Sequence, residues 1–193
     1  MKRIQIFTAL FIFLSGFISC QTIVDLHDHS YPINTPNTYY KDIGDKLNPY
    51  VGTWVYDDGT SYIKIVIVKK IKATVWTHYE DYLIGAFQYK KNGIDIINTL
   101  NTLNTNLSDP RDYLIWGNRF GDTSRLNPFH EYTSDNKRIN FSFKENDCYS
   151  DLNVRTLTLN GQSAIQIDKF KTLEMGQACA PVIPGGFYYL IKQ

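Results

Sequence analysis

The chain has 193 residues, of which 43% are hydrophobic and 15% are aromatic, and its 20 basic and 19 acidic residues give a formal net charge of +1. This near-neutral balance excludes the electrostatic attraction on which nucleic-acid binding depends. The length predicts a single domain that is large enough to bury a hydrophobic core without a structural metal.

The N-terminal segment, residues 1–20, has the three parts of a secretory signal peptide. Lys2 and Arg3 precede an apolar run over residues 4–18, and Cys20 closes the segment. The run is shorter than the roughly 20 residues of a membrane-spanning helix. Its end resembles a bacterial lipobox with Cys20 as the lipid attachment site, although Phe17 stands where lipoboxes usually carry leucine. The alternative is ordinary signal cleavage, which would release a soluble protein.

We therefore expect an exported lipoprotein of the bacterial envelope, on the outer membrane or cell surface, with a periplasmic or secreted soluble protein as the alternative. Removing Lys2 and Arg3 from the 20 basic residues leaves 18 against 19 acidic ones. The mature chain then has no polybasic patch for anionic lipid, so the acyl chains on Cys20 would supply the whole contact with the membrane.

Two further cysteines bear on the same compartment. Cys148 and Cys179 remain if Cys20 is acylated, and an exported protein can join them in a disulfide. Such a bond would close a loop of about thirty residues and stabilise the fold by about 3–4 kcal/mol. Two free thiols are the alternative, because the sequence does not show that the sulfur atoms meet. Neither cysteine belongs to a CxxC pair, which disfavours a zinc site.

Residues 21–47 differ in composition from the rest of the chain and have few periodic apolar positions. We predict a polar spacer there that holds a β-domain, residues 48–193, away from the bilayer. His27 and His29 flank Asp28, and alternate histidines on an extended segment can share a metal ion. Two ligands in a spacer make a weak site, so the sequence assigns no metal and no cofactor.

From residue 50 onward, apolar and polar residues alternate with a period of two, which is typical of strands. The turn dipeptides Asp58-Gly59, Asn92-Gly93 and Asn160-Gly161 predict hairpins. Long amphipathic helical stretches are absent from the sequence. The fold class is therefore all-β, a single antiparallel barrel or sandwich. The predicted strands include residues 62–68, 74–79, 82–89, 94–97, 139–143, 157–159, 164–167 and 187–191.

The motif Gly52-Thr53-Trp54, at the start of the first predicted strand of this domain, resembles the lipocalin and wider calycin pattern. That resemblance implies a barrel that is lipocalin-like in tendency. It also implies that Trp54 closes the barrel floor beneath a basic side chain of the last strand, for which Lys192 is the candidate. A buried tryptophan in any other β-sheet is the alternative reading.

A wider resemblance covers nearly the whole chain. The chain resembles an uncharacterised bacterial family, the domain-of-unknown-function family 6705, which implies an exported protein or lipoprotein and supplies no catalytic residues. The matching motifs include Tyr39-Tyr40-Lys41-Asp42-Ile43, Tyr50-Val51-Gly52-Thr53-Trp54, Leu83-Ile84-Gly85, Gly117-Asn118-Arg119 and the C-terminal Pro184-Gly185-Gly186-Phe187-Tyr188-Tyr189-Leu190-Ile191-Lys192-Gln193.

No catalytic motif appears in the sequence. His78 and Glu80 share one strand face, whereas Glu80 and Asp81 point to opposite faces and do not form an acid–base pair. A hydrolase would require His78, Glu80 or His130 to cluster in one cleft. We assign no catalytic residue and expect a protein that is not an enzyme.

The expected function is non-catalytic binding of a small apolar or amphiphilic molecule at the envelope, because aromatic residues recur in the predicted strands. The ligand-binding residues are not identified, and Trp116 is the best candidate for an exposed contact. The alternative is a structural or interaction module of the envelope with a protein or glycan partner. That alternative predicts an exposed apolar patch or an unpaired strand edge.

Overall fold

Eleven strands form one hydrogen-bonded sheet within the part of the chain that the computed structural model describes, residues 21–28, 32, 34–121, 138–145, 148–171 and 181–193. No helix within these ranges has the length and apolar character needed to cross a membrane. The strands are β1 (Thr22–Asp25), β2 (Thr38–Lys41), β3 (Gly52–Asp57), β4 (Ser61–Val75), β5 (His78–Lys91), β6 (Ile94–Asn98), β7 (Ile115–Gly121), β8 (Arg138–Glu145), β9 (Cys148–Leu159), β10 (Gln162–Lys171) and β11 (Gly186–Lys192).

Eight of these strands close into an antiparallel barrel in the order β3-β4-β5-β7-β8-β9-β10-β11. The ring is completed where β5 pairs with β7, with Ile84 opposite Trp116, and where β11 pairs with β3, with Lys192 opposite Trp54. Barrel neighbours follow one another along the chain, which is the up-and-down arrangement. The all-β prediction is confirmed, and the fold is a barrel rather than a sandwich.

The barrel interior is filled by inward-facing side chains. Along β4, the buried residues Ile63, Ile65 and Ile67 alternate with more exposed ones, as a strand with one face in a core requires. Phe87 of β5 and Phe143 of β8 meet inside the lumen, with their ring centroids 4.7 Å apart. A cavity of about 20 Å³ beside Phe143 has room for about one water molecule, so this part of the lumen does not hold an organic ligand.

The turns follow the glycine and asparagine signals in two of three places. Asn92 and Gly93 have φ values of 51° and 77°, and Asn160 and Gly161 have values of 50° and 78°. Both pairs therefore form the hairpin turns with two positive φ angles that the sequence predicted. The connection between β3 and β4, residues 58–60, is one residue longer, and within it only Gly59 has a positive φ.

One predicted strand, residues 74–79, is interrupted. β4 ends at Val75, residues 76–77 form a tight turn, and β5 begins at His78, which pairs with Val75. Trp76 occupies this turn with a φ of 53°. A bulky residue in the left-handed region is uncommon, and neither glycine nor asparagine marks the turn in the sequence.

The prediction of a polar spacer over residues 21–47 is corrected by two short strands. β1 and β2 pair in parallel, and β2 pairs with β5 through Tyr40 opposite Glu80. Leu26 and Leu47 are fully buried, so this segment belongs to the fold. The low apolar periodicity was misleading because the buried apolar side chains of this segment are irregularly spaced, and because polar contacts also attach it to the barrel.

A second, smaller apolar cluster lies on the outer wall of the barrel. The segment between β6 and β7 covers β4 and β5, and its Tyr113 packs against Val75, Tyr82 and Ile84. Trp116 of β7 packs against the same cluster from one side. The outer wall is therefore apolar and aromatic at this place, although it faces away from the lumen.

Candidate ligand-binding groove

A groove of about 290 Å³ opens on the outer wall where β5, β7, β8 and β9 lie side by side. It adjoins the outer apolar cluster and the turn between β4 and β5. Its lining combines aromatic, amide and charged side chains, which include Trp76, Tyr82, Trp116, Arg111, Asn140 and Asp151.

The floor of the groove follows from strand register. Trp116 lies opposite Ser142 of β8, and Ser142 lies opposite Asp151 of β9. Residues directly opposite each other in antiparallel strands point to the same side of the sheet. The small Ser142 therefore leaves a depression between the Trp116 ring and the Asp151 carboxylate. Gly117 allows β7 and β8 to approach each other closely, because a Cβ atom at this position would collide with the backbone carbonyl of Asn140 in β8.

Two aromatic surfaces border the depression. The rings of Tyr82 and Trp116 are tilted against each other with their centroids 6.4 Å apart. Trp76 is 70% exposed, and the guanidinium carbon of Arg111 lies 4.4 Å from its ring centroid. Asp109 holds Arg111 in place, with Arg111 Nε donating to Asp109 Oδ1 over 2.9 Å. This hydrogen bond lowers the pKa of the Asp109 carboxyl and raises the pKa of Arg111.

The inner end of the groove contains a buried carboxylate whose charge is matched. Glu80 accepts hydrogen bonds from Asn118 Nδ2 at 2.6 Å and Arg119 Nη2 at 2.9 Å, and its Oε1 lies 3.0 Å from His78 Nε2. The predicted shared face of His78 and Glu80 is therefore present. The His78 side chain is closed to solvent, so the pair offers no accessible base to the groove. His130 lies outside the described residues.

Asp81 faces away from Glu80, as the strand period requires, and helps to attach β1 and β2 to the barrel. Its carboxylate accepts from the Tyr39 hydroxyl at 2.6 Å and from the Asp42 backbone N–H at 3.0 Å. Burial and the hydrogen bond to Asp81 raise the pKa of the Tyr39 hydroxyl. The buried carboxylate therefore acts as a structural acceptor rather than as part of the groove.

Asp42 is the centre of the same attachment. It accepts from Lys69 Nζ at 2.8 Å and from the Leu47 backbone N–H at 3.0 Å, and its Oδ1 lies 3.2 Å from His27 Nε2. Burial opposes ionisation of this carboxyl, but the hydrogen bonds outweigh burial and lower the pKa of Asp42. Burial also lowers the pKa of His27, and the contact with Asp42 offsets only part of that effect.

The three residues predicted for the barrel floor come together. Lys192 Nζ lies 5.2 Å from the Trp54 ring centroid, and a Cβ atom on Gly52 would lie 2.7 Å from Lys192 Cε. Trp54 is buried, and its Nε1 donates to the Tyr50 carbonyl oxygen over 2.9 Å. Their function as a plug that closes the barrel stays a prediction.

The remaining predicted sites fall partly outside the described residues. Cys148 is buried and disulfide-bonded. Cys20 and Cys179 lie outside the described ranges, so lipid attachment and the pairing of Cys148 with Cys179 stay predictions. His29 also lies outside them. In the described part of the chain, no group of three or more histidine, cysteine or carboxylate side chains is placed to share a metal ion.

Trp116 was the candidate contact that the sequence indicated, and Trp76 and Tyr82 belong to the aromatic residues that recur in the predicted strands. The sequence offered no reason to include Arg111 or Asp151. The break in the β-branched pattern at Trp76 was a usable signal for an exposed turn residue. Asp151 gave no signal, because its place beside Trp116 depends on the register of two intervening strand pairs.

Comparison with known proteins gives a family without an activity. The whole chain, residues 1–193, matches the family model described as a family of unknown function, DUF6705. This match confirms the resemblance that the sequence motifs indicated. No curated protein and no solved structure matches the chain.

Proposed function

Because the chain belongs to the family of unknown function DUF6705, which assigns no activity, we propose from the geometry alone that this protein binds a small amphiphilic molecule without transforming it. The observation that carries the proposal is the outer groove, with Tyr82 and Trp116 on one side and the Asp151 carboxylate on the other. Ligand sites combine apolar walls with a few placed polar groups and begin at about 300 Å³. The groove, at about 290 Å³, suits a ligand of one or two rings.

The proposed ligand lies on the wall of the barrel, outside the lumen. Small barrels can hold a ligand inside when their interior is not filled by side chains. Here Phe87 and Phe143 fill the middle of the lumen, and the cavity beside Phe143 measures about 20 Å³. These dimensions favour the groove over a lipocalin-like interior site.

The proposal also includes export and acylation at Cys20, which would make the membrane a partner through the lipid anchor. The N-terminal signal-like segment supports this part, and so does the disulfide bond at Cys148. Disulfides persist in oxidising compartments outside the cytoplasm.

The test uses the three tryptophans of the chain as reporters. In a ¹H–¹⁵N spectrum, titration with small aromatic alcohols and amines should shift the indole signals of Trp76 and Trp116 and leave buried Trp54 unmoved. Trp116→Leu should abolish the saturable shift of Trp76. Ile96→Ser, an exposed change on β6 outside the groove, is the matched control and should bind as the unmodified protein does. Absence of any saturable shift at Trp76 and Trp116 would refute the proposal.

A second candidate function, an interaction module with a protein partner, is favoured by β6. Within the described residues, β6 pairs only with β5, and its Ile94 and Ile96 are 68% and 50% exposed. An unpaired strand edge with apolar side chains can accept a strand from a partner. Ile96→Lys would block such pairing and leave the groove intact. Sedimentation at rising protein concentration tests self-association through this edge. If the unmodified protein and the Ile96→Lys variant sediment alike, the edge of β6 gives no support to an interaction module.

A further inference from the structure

We infer that the groove selects an organic cation, an amine or quaternary ammonium group carried on a single ring, and that Asp151 is the residue that selects it. This inference rests on the proposed function and goes further by naming the chemical class of the ligand. Three observations support it: the charge left unmatched in the groove, the spacing of the aromatic ring and the carboxylate, and a cation already stacked in the same groove.

The first observation is the charge of the lining. Among the described residues that line the groove, four side chains are charged, and three of these have partners of opposite charge. Arg111 is paired with Asp109, and Arg119 donates to Glu80 over 2.9 Å. The Asp151 side chain is exposed, and its carboxylate forms no hydrogen bond or ion pair with a side chain of the described ranges. The described lining therefore presents one uncompensated negative charge and no unpaired cation, which favours a positive ligand and disfavours an anion.

The second observation is the spacing across the depression. Trp116 and Asp151 lie two strands apart, with Ser142 between them. Neighbouring strands are about 4.8 Å apart, so the indole and the carboxylate start about 10 Å from each other. A ring seated over Ser142 would contact the indole on one side and place a short ammonium arm against the carboxylate on the other. The groove volume of about 290 Å³ equals roughly ten water volumes, which is the size of one substituted ring.

The third observation is that this aromatic wall already accepts a cation. The Arg111 guanidinium stacks on Trp76 with 4.4 Å between the guanidinium carbon and the ring centroid. Aromatic faces attract cations through the negative charge of their π-systems. Tyr82 and Trp116 offer two further rings beside the unmatched carboxylate. An aromatic wall next to a free carboxylate is the combination that suits an ammonium group.

The experiment compares three compounds that share a phenyl ring and a short chain: phenethylamine, which is positive, phenethyl alcohol, which is neutral, and 3-phenylpropionate, which is negative. Each is titrated into the full protein and followed through the indole signals of Trp76 and Trp116. We expect the amine to bind at least about tenfold more tightly than the alcohol, and the carboxylate to bind least. Raising the salt concentration should weaken amine binding and leave alcohol binding unchanged, because only the former is electrostatic.

Two variants locate the selectivity. Asp151→Asn should remove the preference for the amine while alcohol binding stays within about twofold. Asp95→Asn changes another exposed carboxylate, on β6 outside the groove, and should keep the full preference. Both positions are exposed, and far-ultraviolet circular dichroism checks that both variants fold.

The outcomes separate the inference from the proposed function. If the alcohol binds as tightly as the amine, or if Asp151→Asn retains the preference, the cation inference is wrong and the groove remains a ligand site. If 3-phenylpropionate binds best, the inference is wrong, and Arg111 or Arg119 selects the ligand instead of Asp151. If no compound moves the two indole signals, the proposed function fails and takes this inference with it.

Discussion

Replacing Trp54 by alanine tests whether the barrel end is held by this side chain. Trp54 is 1% exposed, and its indole donates to the Tyr50 carbonyl oxygen. Truncating a fully buried tryptophan costs about 3–5 kcal/mol of the free energy of unfolding. For a chain of this size, that loss lowers the melting temperature by about 6–20 °C. Trp54→Phe keeps most of the ring and should cost about 1 kcal/mol for the lost hydrogen bond alone, beyond any packing change.

Trp76→Ala is the matched control, because this tryptophan is mostly exposed and stacks on Arg111. Losing that contact should cost no more than about 1 kcal/mol. Urea unfolding is followed by far-ultraviolet circular dichroism, since tryptophan fluorescence would report on the residue that is removed. A cost below about 1 kcal/mol for Trp54→Ala, or equal costs for the two variants, would refute the view that Trp54 anchors this end of the barrel.

Four further predictions concern the attachment of β1 and β2, the disulfide and the N-terminus. Asp42→Asn should lower the free energy of unfolding by about 3 kcal/mol at pH 7, because Lys69 loses a buried charged partner. In urea titrations, this difference between the variant and the unmodified protein should vanish as the pH falls through the lowered pKa of Asp42. His27→Gln should reduce the loss of stability on acidification. The pKa of His27 is lowered in the folded state, so below pH ~6.5 the unfolded chain binds a proton at this position more readily than the folded chain does. Cys148→Ala should cost about 2–5 kcal/mol, a difference that a reductant abolishes in thermal unfolding. Cys20→Ser should move the protein from the membrane pellet to the soluble fraction, and mass spectrometry of the N-terminus should show the acyl mass only with cysteine.

The barrel was predictable because its strands are determined by local patterns. The alternation of Ile63, Ile65 and Ile67 sets one face of β4, and Asn92-Gly93 provides the two positive φ angles that a tight hairpin needs. Trp76 shows where such local reasoning stops. Its left-handed backbone is imposed by the pairing of β4 with β5 on either side of the turn, and a tryptophan gives no hint of it.

The attachment of residues 21–47 was missed for a different physical reason. Hydrophobic periodicity detects long segments with a regular apolar face, but β1 and β2 have only four residues each, and part of their attachment comes from carboxylates that accept from neighbouring backbone N–H groups. Asp42 and Asp81 lie 39 residues apart in the sequence, and the hydrogen bond from the Asp42 backbone N–H to the Asp81 carboxylate forms only in the folded chain. The groove was missed likewise, because Asp151 becomes a neighbour of Trp116 only through two strand registers.

The start of β1 at Thr22 has a mechanical consequence for an acylated chain. Only Gln21 separates Thr22 from Cys20, and this two-residue step spans at most about 7 Å. A lipid on Cys20 would therefore hold β1 next to the lipid headgroups, with the 58% exposed side chain of Ile23 close to the bilayer. The short connection would keep the domain close to the membrane surface.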